Sequence, residues 1–157
     1  MKTKVMSVVC VLALLLTLTA CGGSDSQPQK SAAEIADAIY STQTFQDTLN
    51  AIDSDMLGDY YRIDAADLTD SKVYVSGSFS TAEEIAVFQA SSSDAVENIK
   101  KAIDTRLEDL KLAFENYVPG EMTKINDPVL ITKGTTVVLV LADDTAAVSD
   151  QVNELLK

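Results

Sequence analysis

DAVENIKKAIDTRLEDLKLAFENY, residues 94–117, places seven apolar residues on one stripe of a helix. Val96, Ile99, Ile103, Leu107, Leu110, Phe114 and Tyr117 follow at spacings of 3, 4, 4, 3, 4 and 3, the recurrence of a single α-helical face. Ser92, Ser93 or Asp94 supplies an N-cap, and Pro119-Gly120 stops the helix. Such a stripe must be covered. Packing on a β-sheet is the expected use, with a coiled-coil seam as the alternative.

The flanking segments supply the sheet. Residues 72–79 alternate, with Val73, Val75 and Phe79 on one face and Tyr74, Ser76 and Ser78 on the other. Residues 84–90 form a second strand, in which Ile85 and Val87 alternate with Ala86 and Phe88. The short polar link between the two implies an antiparallel pair. Beyond the long helix, residues 129–132 and 135–142 flank Lys133-Gly134, a two-residue hairpin signal with Gly supplying the positive φ. Residues 136–141, TVVLVL, are apolar on both faces and read as a central strand covered on both sides.

Further out lie shorter elements. Ser31 and Glu34 are spaced as a capping box, followed by Ile35 and Ile39 one turn apart. Residues 42–48 are mixed and polar. Met56, Leu57, Tyr60 and Tyr61 suggest a short helix ending near Ile63-Asp64, and residues 64–67 read as a turn. Asp143, Asp144 or Thr145 caps a last helix, with Val148, Val152 and Leu155 inward. The expected class is α+β: a four-stranded, mainly antiparallel sheet with a ββαββα core, the long helix on one face, and additional N- and C-terminal helices.

The N-terminus carries a different message. Lys2 and Lys4 precede 14 almost wholly apolar residues, 5–18, and then Leu18-Thr19-Ala20-Cys21 with Gly22-Gly23 behind it. A spanning helix needs about 20 residues. A basic n-region, a short apolar h-region and a small-residue site are the order of a secretory signal, and the terminal Cys makes that site a lipobox. Residues 1–20 are therefore expected to be a signal peptide. Cys21 becomes the lipidated first residue of the mature chain, and diacylglyceryl-Cys21 is the contact with a membrane on its extracytoplasmic face. Residues 22–30, GGSDSQPQK, are a flexible tether of nine residues, which spans about 15–18 Å on average. Residues 31–157 form one domain.

Composition bounds the chemistry. The full chain has 12 basic and 24 acidic residues. Loss of Lys2 and Lys4 with the signal leaves ten basic residues against 24 acidic. A chain this acidic, whose longest basic run is Lys100-Lys101, is not expected to bind nucleic acid, which requires clustered Lys or Arg. There is no histidine, Cys10 leaves with the signal, and Cys21 is acylated. That removes Cys–His and Ser–His–Asp nucleophiles, disulfides and the usual zinc sites from the mature chain.

Several stretches together resemble a known family: Glu83-Glu84-Ile85-Ala86-Val87-Phe88-Gln89-Ala90, then Arg106-Leu107-Glu108-Asp109, then Tyr117-Val118-Pro119, then Lys133-Gly134 before an apolar strand. The pattern is similar to domain-of-unknown-function family 4358, over roughly residues 31–157 plus the lipobox. The resemblance implies a small lipoprotein of Gram-positive anaerobes. It implies no catalytic residue and no cofactor.

Few constellations suggest chemistry. Residues 53–64 echo a calcium loop, with Asp53 and Asp55 at its first and third positions, Gly58 at the sixth and Asp64 at the twelfth. Leu57 stands where an oxygen ligand is needed and Asp64 is shorter than the usual Glu, so a capped, solvated helix is expected instead. Asp143-Asp144, at the end of a strand, are paired carboxylates whose expected role is helix capping. Glu83-Glu84 and Glu108-Asp109 read as solvated faces. Arg106, beside the apolar stripe, is expected to lay its stem on the core edge, with a carboxylate partner or an anionic ligand as alternatives. Tyr60, Tyr61 and Tyr74 are expected to pack in or at the core, with an aromatic binding patch as the alternative. No catalytic, metal or cofactor residue is expected. These features fit a membrane-tethered, non-catalytic binding or accessory module at the cell surface. The alternatives are a carboxylate-based hydrolase or a calcium-dependent structural protein. The ligand, partner and oligomeric state are not specified.

Overall fold

The computed structural model describes residues 29–157. The expected signal peptide, the expected lipidation site Cys21 and most of the expected tether lie outside the described residues. The elements run α1 (Ala32–Thr42), β1 (Leu49–Ile52), α2 (Leu57–Tyr61), β2 (Leu68–Ser76), β3 (Glu84–Ala90), α3 (Ser93–Phe114), α4 (Met122–Asn126), β4 (Val129–Lys133), β5 (Thr136–Leu141) and α5 (Thr145–Leu155). The strands form one five-stranded sheet in the order β1-β2-β3-β5-β4, with every neighbouring pair antiparallel.

The α+β class and the four expected strands are present; the expected strand count is corrected to five. β1 pairs with β2 from Leu49 opposite Ser76 to Ile52 opposite Val73. Its burial runs buried, exposed, exposed, half-buried, so it has no alternation to betray it. β2 begins at Leu68, earlier than expected, with a bulge between Leu68 and Asp70, and ends at Ser76. Phe79 is thus excluded from the strand face it was expected to share with Val73 and Val75. It sits in the β2–β3 loop, 79% exposed, with φ 55°.

The sheet is covered on both faces. Ala86 and Phe88 of β3 and Val137, Leu139 and Leu141 of β5 join Val73 under α3, where Val96, Ile99, Ile103, Leu107, Leu110 and Phe114 are buried. The stripe therefore packs on the sheet, as its period requires, except that Tyr117 lies beyond the helix end and is 81% exposed. The alternate residues Ile85, Val87, Val138 and Val140 face α1 and α5, meeting Ala32, Ile35, Ala36, Ile39, Val148 and Val152. All six residues of β5 are buried, because neither of its faces meets water.

Local chemistry sets the element ends. Ser31 and Glu34 close a capping box on α1, a device whose loss costs about 1 kcal/mol. Ser92 is the N-cap of α3, its side chain accepting from the Ala95 amide. The β4–β5 turn is Gly134-Thr135 rather than Lys133-Gly134, since Lys133 pairs with Thr136; Gly134 adopts φ 58°, which a glycine takes without strain. Gln29 donates to Thr136 Oγ1 (2.6 Å), Gln89 donates to the Lys30 carbonyl (2.7 Å), and Lys30 Nζ donates to the Leu155 carbonyl (2.9 Å). Gln29 and Lys30, the last two residues of the expected tether, are thus hydrogen-bonded to the domain.

Candidate functional site

The charged side chains of the interior gather at the Glu84 end of β3, opposite the end where Gln29 and Lys30 dock. β3 has seven residues, so these ends lie about 20 Å apart. Glu83 and Glu84 are each 1% exposed, which corrects the expectation of a solvated face. Neighbouring side chains of an extended chain point to opposite faces, and the two glutamates accordingly enter different networks.

Glu84 lies on the α3 face. Its Oε2 accepts from Arg106 Nη2 (2.6 Å) and Nε (3.2 Å), and its Oε1 accepts the Tyr61 hydroxyl. The Arg106 guanidinium stands 5.3 Å from the Tyr60 ring centre and 5.8 Å from that of Tyr61. Burial, and then the Glu84 carboxylate, push the Tyr61 phenol well above its ordinary pKa. Burial works against the Arg106 charge, but Glu84 outweighs it and the guanidinium is held more basic than usual. Arg106 thus takes one of the alternative roles, as the partner of a carboxylate.

Glu83 faces the other way. Its carboxylate accepts from the amides of Gln46 (2.9 Å) and Asp47 (3.0 Å) and from Thr81 Oγ1 (3.0 Å). Nearby, Lys124 Nζ bonds both oxygens of Glu121 (3.0 and 2.9 Å), reaches Asp143 Oδ1 at 3.2 Å, and lies 4.0 Å from Glu83 Oε1. Glu121 also accepts the Ala82 amide (2.8 Å). Three carboxylates surround one ammonium. Burial disfavours the Lys124 charge, but Glu121 and Asp143 outweigh that and raise its pKa. The Gln46 amide is the main cause of the lowered Asp143 pKa; burial opposes it and Lys124 adds to it.

Other candidate residues fall apart in space. Asp144 caps α5, accepting the Ala147 amide at 2.9 Å, while Asp143 turns to Gln46 and Lys124, so capping accounts for only one of the pair. Residues 53–64 form a 3-10 turn, Ser54–Met56, followed by α2, with Leu57 and Tyr61 buried and Asp64 accepting the Ala66 amide. Among the described residues no group of three or more His, Cys, Asp or Glu is placed to hold a metal ion. Tyr74 is on the α1 face, bonded to Asp37 (2.6 Å), and cannot share a patch with Tyr60 and Tyr61. Glu108 and Asp109 are solvent-facing, paired with Lys111 (2.7 Å) and Arg62 (2.9 Å). Sequence reading missed Lys124, Glu121 and Thr81 as members of a network. The one available signal was Glu83-Glu84 at the head of an otherwise apolar strand.

One concavity adjoins the Glu84 network, and another lies along β2 toward the opposite end of the sheet. A slot of about 60 Å³ lies between Arg106, Leu110, Phe114 and the loop residue Phe79. A longer groove of about 740 Å³ runs beside β2, walled by α2. No helix among the described residues is long and apolar enough to cross a membrane.

A five-stranded antiparallel α+β domain with paired interior charges is the class that fold and site define. The chain belongs to the domain of unknown function family DUF4358, whose model matches residues 42–142. The match is narrower than the expected residues 31–157. It spans the whole sheet and both glutamate networks up to Ala142, and it leaves out α5 and nearly all of α1. No curated protein and no solved structure matches the chain.

Proposed function

We propose that the protein is an extracytoplasmic lipoprotein, anchored to the cell membrane through diacylglyceryl-Cys21, and that its domain is a non-catalytic binding or accessory module. The observation that carries the anchoring is the order Lys2, Lys4, the apolar run 5–18 and Leu18-Thr19-Ala20-Cys21. Two acyl chains at ~0.8 kcal/mol per buried methylene give stable attachment, where one chain is marginal. The described residues begin hydrogen bonding to the sheet at Gln29, and the charged end of the sheet is the end away from Gln29.

The accessory-module reading is supported by how the interior carboxylates are occupied. Glu84, Glu83 and Glu121 each hold two or more donors of the domain itself. All three are buried, with their oxygens taken up by those donors, whereas a general acid, base or nucleophile has to reach its substrate. Replacement of Cys21 by Ser followed by fractionation of cells tests the anchoring. Membrane partition and signal cleavage should both be lost; a variant that still sediments with membrane after cleavage at the same bond defeats it.

A further inference from the structure

β2 is longer than the strand that pairs with its outer edge. β1 covers residues 73–76 and ends at Ile52 opposite Val73. The β2 chain continues for Leu68 to Lys72 with β3 on one side and, among the described residues, no strand on the other. The direction of its backbone groups follows from two bonds: Ser76 N donates to Glu83 O on the β3 side (3.0 Å), and Gly77 N donates to Thr48 O on the β1 side (3.2 Å). Backbone groups alternate sides along a strand. The register is regular from Ser71 to Val75, so the peptide groups of Val75, Val73 and Ser71 face outward. A continued β1 would bring Ser54 opposite Ser71. Instead the chain leaves at Asp53 into the 3-10 turn and α2, and the Ser71 amide donates to the Asp70 carboxylate (2.9 Å).

The vacated lane is the groove of about 740 Å³, within the range of pockets that hold ligands. Its floor carries Leu57, Ile63 and Leu68, and Asp55 is exposed at its rim, while the Asp70 carboxylate already accepts the amides of Ala32 (2.7 Å) and Ser71 (2.9 Å); among the described residues no lysine or arginine lines it. An exposed edge in line with an existing strand is a template for strand addition, where backbone bonds supply affinity and alternate side chains supply selectivity.

We propose that the β2 edge from Leu68 to Ser71 is a docking site for an extended peptide segment carrying basic side chains, which adds as a strand in line with β1. The inner residues of the guest lie over Leu57, Ile63 and Leu68, and a Lys or Arg on its margin meets Asp55. This deepens the binding-module reading and rests on it for biological setting, but not on the lipid anchor.

Gly58 provides the means of test. It lines the groove from α2, and a Cβ built there meets nothing within 4 Å. Gly58→Trp therefore fills the lane from a helix that tolerates a side chain, and Gly58→Ala is its control. The full-length chain in detergent micelles is panned against phage-displayed random peptides. Enrichment of peptides that alternate β-branched residues and carry Lys or Arg is expected. Their binding should fall about tenfold or more with Gly58→Trp, corresponding to 1.4 kcal/mol, and persist with Gly58→Ala. Asp55→Lys, which does not touch the core, should weaken the same peptides, and salt should weaken them too. Amide exchange at Ser71 should slow when peptide binds. No enrichment, or enriched peptides indifferent to both Gly58→Trp and Asp55→Lys, overturns the proposal; in the second case the binding-module reading stands with another surface. Self-association of the chain abolished by Gly58→Trp would assign the edge to a second copy and also overturn it. The Cys21→Ser fractionation is independent of all these results.

Discussion

Glu83 and Glu84 are consecutive in the chain, equally buried, and embedded in opposite kinds of ionic surroundings. Glu84 meets one guanidinium and one phenol, a balanced pair closed by hydrogen bonds. Glu83 shares its end of the sheet with Glu121 and Asp143, and one ammonium serves all three. The first arrangement has no surplus charge, whereas the second has two more acids than bases. Burial of a carboxylate is tolerable only when partners replace its lost hydration. The two networks reach that condition by different routes: Glu84 through a planar, bidentate cation, and Glu83 mainly through backbone amides and a hydroxyl, with Lys124 4.0 Å away.

The surplus makes Lys124 the most consequential charge in the molecule. Lys124→Met should cost about 3–5 kcal/mol, because Glu121 keeps only the Ala82 amide and Glu83 loses the nearest cation. Chemical denaturation of the wild type and variant reads this directly. Typical domains have only about 5–15 kcal/mol in total, so the variant should be partly unfolded near room temperature. Arg106→Met should cost less, since Tyr61 still donates to Glu84 and its phenol remains protonated at any ordinary pH. A Glu84→Leu, Arg106→Met, Tyr61→Phe triple variant, which also removes the hydroxyl that Glu84 accepts, should recover most of the loss, as apolar replacement of a whole buried network generally does. If Arg106→Met is the more damaging single change, the ranking of the two networks is reversed.

The apolar part of the α3 face provides the scale for these losses. Ile103 is fully buried, between Ile99 and Leu107, on the sheet face that includes Val73, Leu139 and Leu141. Ile103→Ala should leave a cavity and cost about 2–5 kcal/mol. A negligible shift would mean that α3 is held by the Arg106–Glu84 pair and not by its stripe.

The stripe was legible because a 22-residue helix repeats its signal six times, and β5 was legible because its two apolar faces admit no other use. What escaped sequence reading had a short or contradictory signal. β1 has four residues, two of them exposed, and is a strand only because β2 offers an edge. Phe79 alternates correctly with Val73 and Val75, but β2 ends at Ser76, and a hydrophobic residue three positions past a strand end, on the same parity, looks like a continuation. Glu83-Glu84 reads as surface because two adjacent acids usually are. Their partners, Lys124 and Arg106, are 41 and 22 positions further on, and only the sheet brings them together. Asp143 was grouped with Asp144 by adjacency, whereas helix geometry needs just one cap.

A third carboxylate separates acid sensitivity from burial. Asp47 is on the surface, yet hydrogen bonds from Ser76 first, then Ser78, with the Thr48 and Ser78 amides, hold its pKa at about 2 against an ordinary 3.8. Its folded pKa lies below the unfolded value, so its contribution to stability is complete above about pH 4 and is lost as pH falls toward 2. Asp143, also lowered, acts in the same direction. NMR titration should place the Asp47 midpoint near 2, and Asp47→Asn should flatten the acid limb of the stability curve. An Asp47 midpoint near its ordinary value would remove it from that limb and leave acid sensitivity to the interior.

Lys100 tests the comparison at its weakest point. Its Nζ lies 3.0 Å from Glu97 Oε1, no further than Lys124 Nζ lies from Glu121, and both pairs are spaced i, i+3. The difference is water. The Lys100 and Glu97 side chains are 37% and 64% exposed, whereas that of Lys124 is 3% exposed. At the surface, solvent replaces a lost partner, so Lys100→Ala should change stability by less than about 0.5 kcal/mol. Alanine is also the better helix former, which offsets part of even that. The same urea melts compare it with Lys124→Met. Equal shifts in the two would show that proximity of charge, and not its removal from water, sets the cost, and the contrast drawn between Glu83 and Glu84 would lose its physical basis.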